Sequence, residues 1–516
     1  MSAAKEGGDV NRVRASATFA CALALCLPAA AGATPVPKVT GPLPVSATSY
    51  PFGAADHQEV PQDLHKIGYV EEEYLASGKA NVYSWPAPGP AVVRTANAPY
   101  TTRVLVRRPA NPARFSGTVI VEILNPSNAF DLNIGWALAQ RQIVADGDAW
   151  VGVTGKPISI DALKNFDPVR YGSLSMANPL PLNDPRNCNP PVSFITPASR
   201  TTEDGLVYDI TSQIGAWVRS RDRSNPLTYG QRHGSPVDRV YDFGYSQTGS
   251  FEYDYINAIQ PLVEQTDGRP MFDGYIVAVA GGRFIGAAPI NQCEPPPPNG
   301  DPRRQFKDAG TPIIHMMSQS DYLTGIDARR PDSDKRQDRY RGYEMAGAAH
   351  ATPDELFYSA APADIVKAGR AVPPGSCNEG PRSRFPSSIF FDAALRNLDW
   401  WVRFGIAPPH ADPILVSGSP PAPVLDEFGN VQGGLRSPYL DVPTSTWFGS
   451  STGLSFCSIA GHEVPFTKAQ LAELYRNHGD YVSKVTRDTA RLVADRFLTV
   501  PDGLRLIREA ARANVP

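Results

Sequence analysis

Apolar positions along this chain fall into two alternating patterns. Four short runs are apolar almost without a break: "GTVIVEIL" (117–124), "AWVGVTG" (149–155), "GYIVAVAGG" (274–282) and "TPIIHMMS" (311–318). Runs of that kind suit strands covered on both faces of a sheet. Between them the spacing changes to that of a helix. "NIGWALAQRQIVADG" (133–147) is periodic and stops at Gly147, and "TEDGLVYDITSQIGAWVRS" (202–220) puts Leu206, Ile210, Ile214, Trp217 and Val218 on one face. "DRVYDFG" (238–244) and "DRYRGYEMAGAAH" (338–350) predict two more strands, and "SFEYDYINAIQ" (250–260) a further helix. Ahead of all these, "GYVEEEYLASGKANVY" (68–83) and "YTTRVLVRRP" (100–109) read as strands. The pattern predicts an α/β fold: a mostly parallel central sheet with helices on both faces, preceded by antiparallel strands.

The intervening stretches read as loops. Residues 34–66 are irregular, 156–200 is a long loop rich in Pro and Asn, and 327–339 is a solvated loop or helix face. After 350 come an apolar-faced helix ending at Gly405, a capping box of Thr467 with Gln470, and two helices near 480–498 and 502–513. No repeat or flexible linker interrupts the pattern. A single domain is expected over 34–516, with a core at about 68–405 and a helical C-terminal extension at about 406–516.

Composition changes this picture in four ways. The 516 residues carry a net charge of only −3, which points away from nucleic acid or an anionic membrane surface as partner. The 51 prolines cluster in stretches such as "CEPPPPNGDPRR", so long ordered loops are expected on the scaffold. At the N-terminus, Arg12 and Arg14 precede a short apolar run that contains Pro28 and ends in Ala31-Gly32-Ala33. That is the form of a cleaved signal peptide, residues 1–33, and it implies export to the periplasm or medium with no membrane span retained. Four cysteines would remain: Cys188, Cys293, Cys377 and Cys457. They lack metal-ligand spacing, and in an exported chain they suggest two disulfides, with three pairings open.

The candidate chemistry sits in "DFGYSQTGS" (242–250). A strand, then Gly244-Tyr245-Ser246-Gln247-Thr248, then a helix has the form of a nucleophile elbow with Thr in place of the last Gly. The elbow requires, later in the chain, an acid and then a histidine, each at a strand end. Asp321 is the acid directly past the strand at 311–318, and His350 follows the next strand. The oxyanion hole should combine the Gln247 N–H with a donor from "NPSNAFD" (125–131), where Pro126 has none and Asn125, Ser127 or Asn128 must serve.

These motifs resemble the α/β-hydrolase superfamily, and within it a family of large exported bacterial proteins. The resemblance runs through "VIVEILNPSN", "AWVGVTGKPISIDALKNFDPVRYGSL", "YDITSQIGAW", "GYSQTG", "YEMAGAAHA", "LRNLDWWVRFGIAPP" and "HGDYVSKV". It implies an α/β-hydrolase fold, Ser246 as nucleophile, His350 as base, and hydrolysis of a small-molecule carboxylic ester with no cofactor and no metal. Relatives often carry a Glu two positions before the acid, where this chain has Gln319, so Asp321 rests more on position than on the resemblance. Tannase-like enzymes place cysteines beside Ser and His, where Tyr245 and Ala349 stand here. A lactonase, amidase or acyltransferase would use the same three side chains, and a binding protein on the same fold would not need them. Substrate specificity is expected from loops 156–200 and 287–304 and from the C-terminal helices.

Overall fold

The computed structural model describes residues 33–188, 199–228, 237–265, 267–281, 288–307 and 310–515; the expected signal peptide lies outside them up to Ala33. Eleven strands make one sheet. In chain order they are β1 (Lys38–Thr40), β2 (Tyr69–Ser84), β3 (Val92–Pro109), β4 (Thr118–Leu124), β5 (Ala149–Thr154), β6 (Ser175–Met176), β7 (Arg239–Tyr245), β8 (Gly274–Ala278), β9 (Ile313–Ser318), β10 (Ser333–Lys335) and β11 (Asp338–Met345). In space the order is β1-β2-β3-β5-β4-β7-β8-β9-β11-β10, with β6 beside β3. The six strands from β5 to β11 run parallel. Strands β1, β2 and β3 pair antiparallel at one side and β10 at the other.

Every residue of β4, β5, β8 and β9 is buried, as their unbroken apolar runs require. Helices cover both faces. On one, Gly135 of helix Ile134–Asp146 lies against Glu122 and Phe243, and Phe391 of helix Ser388–Phe404 packs on Phe243. On the other, helix Gln247–Asp254 lies against Gly244, and Val207 of helix Val207–Arg219 against Gly155.

Glu122 is the one charged residue inside β4, and it has a structural task. Its carboxylate accepts the Gly135 N–H (2.7 Å), the Trp136 N–H (3.1 Å) and the Trp150 Nε1–H (2.8 Å). The sheet thus caps the helix that follows, satisfying N–H groups with no partner in their own helix. Burial still pushes the Glu122 carboxyl up to about 7 against these donors and Arg107. The same helix ends at Gly147, which is left-handed (φ 76°) and so close to Arg114 that a Cβ would sit 2.2 Å from its carbonyl oxygen.

The departures from the expected elements are local. Within the stretch read as irregular, 34–66, β1 pairs with β2. Within the stretch read as solvated, 327–339, Ser333–Lys335 forms a hairpin with β11. The hairpin residues are polar and partly exposed because they sit at the sheet's edge, so no apolar pattern marks them. The outer edge of β11 is then occupied along its length. β10 takes one end, the Asp332 carboxylate accepts the Gly342 N–H at 2.9 Å, and Leu435 exchanges backbone hydrogen bonds with Glu344 and Ala346.

Past 405 the chain has two parts. Residues 406–466 form loops, the short helix Pro438–Asp441 and two antiparallel ribbons, one of them pairing Ser445–Phe448 with His462–Pro465. Helices Lys468–Leu474, His478–Ala494 and Val500–Arg512 close the chain, the first with the expected capping box. Leu492, Leu498 and Leu506 join the main core, while Leu471, Tyr475, Tyr481 and Val485 gather in a small core of their own. Disulfides join Cys188 to Cys293 and Cys377 to Cys457. Two disulfides fit an oxidising compartment. Among the described residues no helix is long and apolar enough to cross a membrane.

Candidate active site

The site is built at the carboxyl ends of β7, β9 and β11, where open α/β sheets place their ligands. Strand β7 ends at Tyr245, and helix Gln247–Asp254 begins one residue after Ser246. Ser246 alone makes the turn, at φ 58° and ψ −117°. A residue other than glycine reaches this region only under constraint, at a cost of about 1–3 kcal/mol. The constraint comes from packing on both sides. A Cβ on Gly244 would sit 2.7 Å from the Thr248 carbonyl oxygen, and one on Gly249 would sit 2.8 Å from Ala280 Cβ and 2.9 Å from the Ala278 carbonyl oxygen. Thr248 fits where a glycine was expected because its hydroxyl bridges the turn: Oγ1 accepts the Tyr245 N–H at 2.9 Å and lies 3.0 Å from the Tyr245 carbonyl oxygen. Gly249, one position later, provides the close approach to the neighbouring strand.

Asp321 stands just past β9, and His350 on the loop after β11. His350 Nδ1 is 2.9 and 3.0 Å from the two carboxylate oxygens of Asp321, and Nε2 is 2.9 Å from Ser246 Oγ. The three residues are 9%, 4% and 4% exposed for Ser246, His350 and Asp321. Burial alone would push the imidazole down. The Asp321 charge and hydrogen bond, with the charge of Glu355, outweigh it and hold His350 above its ordinary value. Asp321 is steadied by Ser318 Oγ at 2.5 Å, and the Ser320 hydroxyl accepts the His350 N–H at 3.0 Å.

Gln319, where relatives often have Glu, ties the two loops together. Its N–H donates to the Ala348 carbonyl (2.9 Å) and its side-chain oxygen accepts the Gly347 N–H (2.7 Å). His315, a second histidine near the site but inside β9, is buried against Ala280 and Tyr340, and burial pushes it down to about 4.

The loop after β4 faces the same site. Within it the Asn125 N–H donates to the Leu132 carbonyl (2.9 Å), and the Ser127 N–H to the Asn125 side-chain oxygen (2.8 Å). Both N–H groups are therefore engaged inside the loop. Asn125 Nδ2 holds the Tyr245 carbonyl at 2.6 Å, fastening the loop to the elbow. Gln247 opens its helix, where first-turn N–H groups have no intrahelical acceptor.

A cavity of about 20 Å³ opens beside Ser246, with room for about one water. Asn125, Ser127, Asn128, Leu132, Ile134, Tyr245, His350, Ala351, Glu355, Phe456 and Ile459 line it with Ser246. Phe456 and Ile459 come from a strap, 449–461, that lies over the site. The Ala351 N–H donates to the Ile459 carbonyl at 2.9 Å, Ser320 Oγ donates to the Gly449 carbonyl, and Cys457 is bonded to Cys377. None of the cavity's lining residues falls in loops 156–200 or 287–304 or in the terminal helices, the regions expected to set specificity. Glu355, Phe456 and Ile459 were not singled out from the sequence, because they lie on single helical turns too short to carry a periodic pattern or motif.

A family model described as alpha/beta hydrolase domain matches residues 39–508. Among solved structures, the chain resembles a glucuronoyl esterase from Solibacter usitatus at 11% identity, covering 57% of this chain and 79% of that one, with a TM-score of 0.25. It resembles a serine hydrolase without a lid from Xanthomonas campestris at 10% identity, over 57% of this chain and 97% of that one (TM-score 0.24). One of two Rhizomucor miehei esterases matches at 10% identity, over 56% and 78% of the two chains (TM-score 0.28). No curated protein matches the sequence.

Proposed function

The chain belongs to the alpha/beta hydrolase domain family, and on that premise we propose that it hydrolyses carboxylic esters through Ser246, His350 and Asp321. The observation that carries the reading is the unbroken hydrogen-bonded line from Asp321 through His350 to a serine hydroxyl on a strained turn. In the first step His350 Nε2 takes the Ser246 proton as Oγ attacks the ester carbonyl; the same nitrogen then delivers that proton to the leaving alcohol. Water attacks the acyl-serine in the second step, with His350 again as base. Asp321 fixes the tautomer that leaves Nε2 free and stabilises the imidazolium.

The tetrahedral oxyanion is received by the Gln247 N–H and by a donor from the loop after β4. Asn128 is the favoured second donor: it lines the cavity, and its N–H, unlike those of Asn125 and Ser127, has no acceptor among the described residues. Each such donor is worth about 3–4 kcal/mol in the transition state.

Export belongs to the same reading. Cleavage after Ala33 would start the mature chain at Thr34, whose N–H donates to the Glu264 carbonyl at 3.2 Å. Fluorophosphonate labelling and short-ester hydrolysis test the catalytic proposal. Both are expected from the wild type and lost in Ser246→Ala; labelling that persists in the variant would sink it.

A further inference from the structure

One carboxylate in the wall of the cavity touches none of the three side chains of the acyl transfer proposed above, although its charge helps hold His350 above its ordinary value. Glu355 lies five residues past His350, is 8% exposed, and lines the cavity together with Ser246 and His350. Its Oε1 accepts a hydrogen bond from Arg382 Nη1 at 2.6 Å. Arg382 is itself 3% exposed and is fixed from behind, where its Nε donates to the Pro374 carbonyl at 2.9 Å. Glu355 Oε2 accepts no hydrogen bond among the described residues, and it keeps some surface open to water.

A carboxylate oxygen in that position is poorly served. Water in the cavity can reach it, and once a substrate displaces that water the acceptor is left without a donor, which is costly. In the rest of the lining, Leu132, Ile134, Phe456 and Ile459 are apolar, and the polar Asn125, Ser127 and Asn128 make no hydrogen bond to Glu355. The missing donor is supplied by whatever fills the cavity. The Arg382–Glu355 pair is neutral overall, so a neutral donor fits. An ammonium group would bring an uncompensated buried charge next to an imidazole that must itself become positive during the reaction. The cavity holds about one water, so it takes a hydroxyl only as the strap 449–461 shifts to admit the chain that bears it. The alcohol must leave, whereas the acyl group stays bonded to Ser246.

We propose that Glu355 Oε2 receives a hydroxyl group on the acyl chain of the substrate, so that the enzyme selects esters of short hydroxy acids. This rests on the esterase reading above. A site built to hydrogen-bond a substrate hydroxyl rejects the analogue that lacks it far more strongly than an apolar pocket rejects a change of size.

The test compares the methyl esters of butyrate, 2-hydroxybutyrate and 3-hydroxybutyrate by kcat/KM, first on the wild type and then on Glu355→Gln. The amide keeps an oxygen for Arg382 and replaces the second acceptor with a donor. For the wild type, one of the hydroxy esters is expected to exceed butyrate by about 100-fold or more. In Glu355→Gln that ratio is expected to fall to within about tenfold. A wild-type ratio near one overturns the proposal without any variant, and so does a preference that Glu355→Gln leaves intact. If no ester is turned over in a Ser246-dependent way, the esterase reading itself fails, which is a different result from turnover that ignores the hydroxyl.

Discussion

His350 and Asp321 fix how the rate should depend on pH. In the proposed mechanism the neutral imidazole is the working form, and in this structure it is held above its ordinary value, so kcat/KM is expected to rise with pH through a midpoint above 6.5. Asp321→Asn removes the charge that outweighs burial. The midpoint should then move down, and kcat should fall by about 10⁴-fold, because the tautomer is no longer fixed; a pH–rate series on the two proteins checks both. A second buried acid acts on stability. Asp242 of β7 is 1% exposed, and burial pushes it up to about 8 against the opposing backbone N–H of Phe243. An acid whose folded value lies above its unfolded one, 3.8, holds its proton more tightly when folded. Its contribution is therefore intact below about pH 4 and is lost as pH rises through about 8. Melting temperatures are expected to fall over that window in the wild type and to fall less steeply in Asp242→Asn. The serine, acid and histidine could be picked out in the sequence because chain order and strand ends leave few alternatives for each. Glu355 could not: nothing in "ATPDELF" separates a cavity carboxylate from a helix-opening one, and its partner Arg382 is 27 residues away.

Among the elements, the turn between β7 and its helix is the most sensitive. Thr248→Ala removes the hydroxyl that accepts the buried Tyr245 N–H and leaves that donor unsatisfied. A loss of about 1–3 kcal/mol in unfolding free energy is expected by denaturant titration, with a drop in labelling of Ser246. Gly249→Ala is expected to be worse for activity than for stability. Its Cβ would press on the backbone of β8 at Ala278, and the turn can relieve that only by moving Ser246. The buried strands were legible because a strand covered on both faces must be apolar throughout, and β4, β5, β8 and β9 are. Strands β1 and β10 were not. Each is three residues long and lies at an edge, where one side meets water and no apolar run is demanded.

For the whole molecule, the pairings of the cysteines matter most. The sequence left three pairings open, since pairing depends on which loops meet in space. Cys188–Cys293 joins the two long loops outside the sheet, and Cys377–Cys457 ties the strap to the segment before helix Ser388–Phe404. Replacing Cys377 and Cys457 together by Ser is expected to cost about 2–5 kcal/mol, read from chemical unfolding, since the bond closes a loop across 80 residues. The strap should also loosen, so Ser246 should react faster with a bulky fluorophosphonate. The C-terminal helices were visible from their periodicity and caps. The strap was not, because a loop that covers a site needs only a few apolar residues at irregular spacing. Finally, the hairpin, Asp332 and Leu435 together leave β11 with no row of free backbone groups along its outer side. A strand from a second copy would find nothing there to pair with, so concentrated solutions of the folded protein should resist growth into fibres from that side.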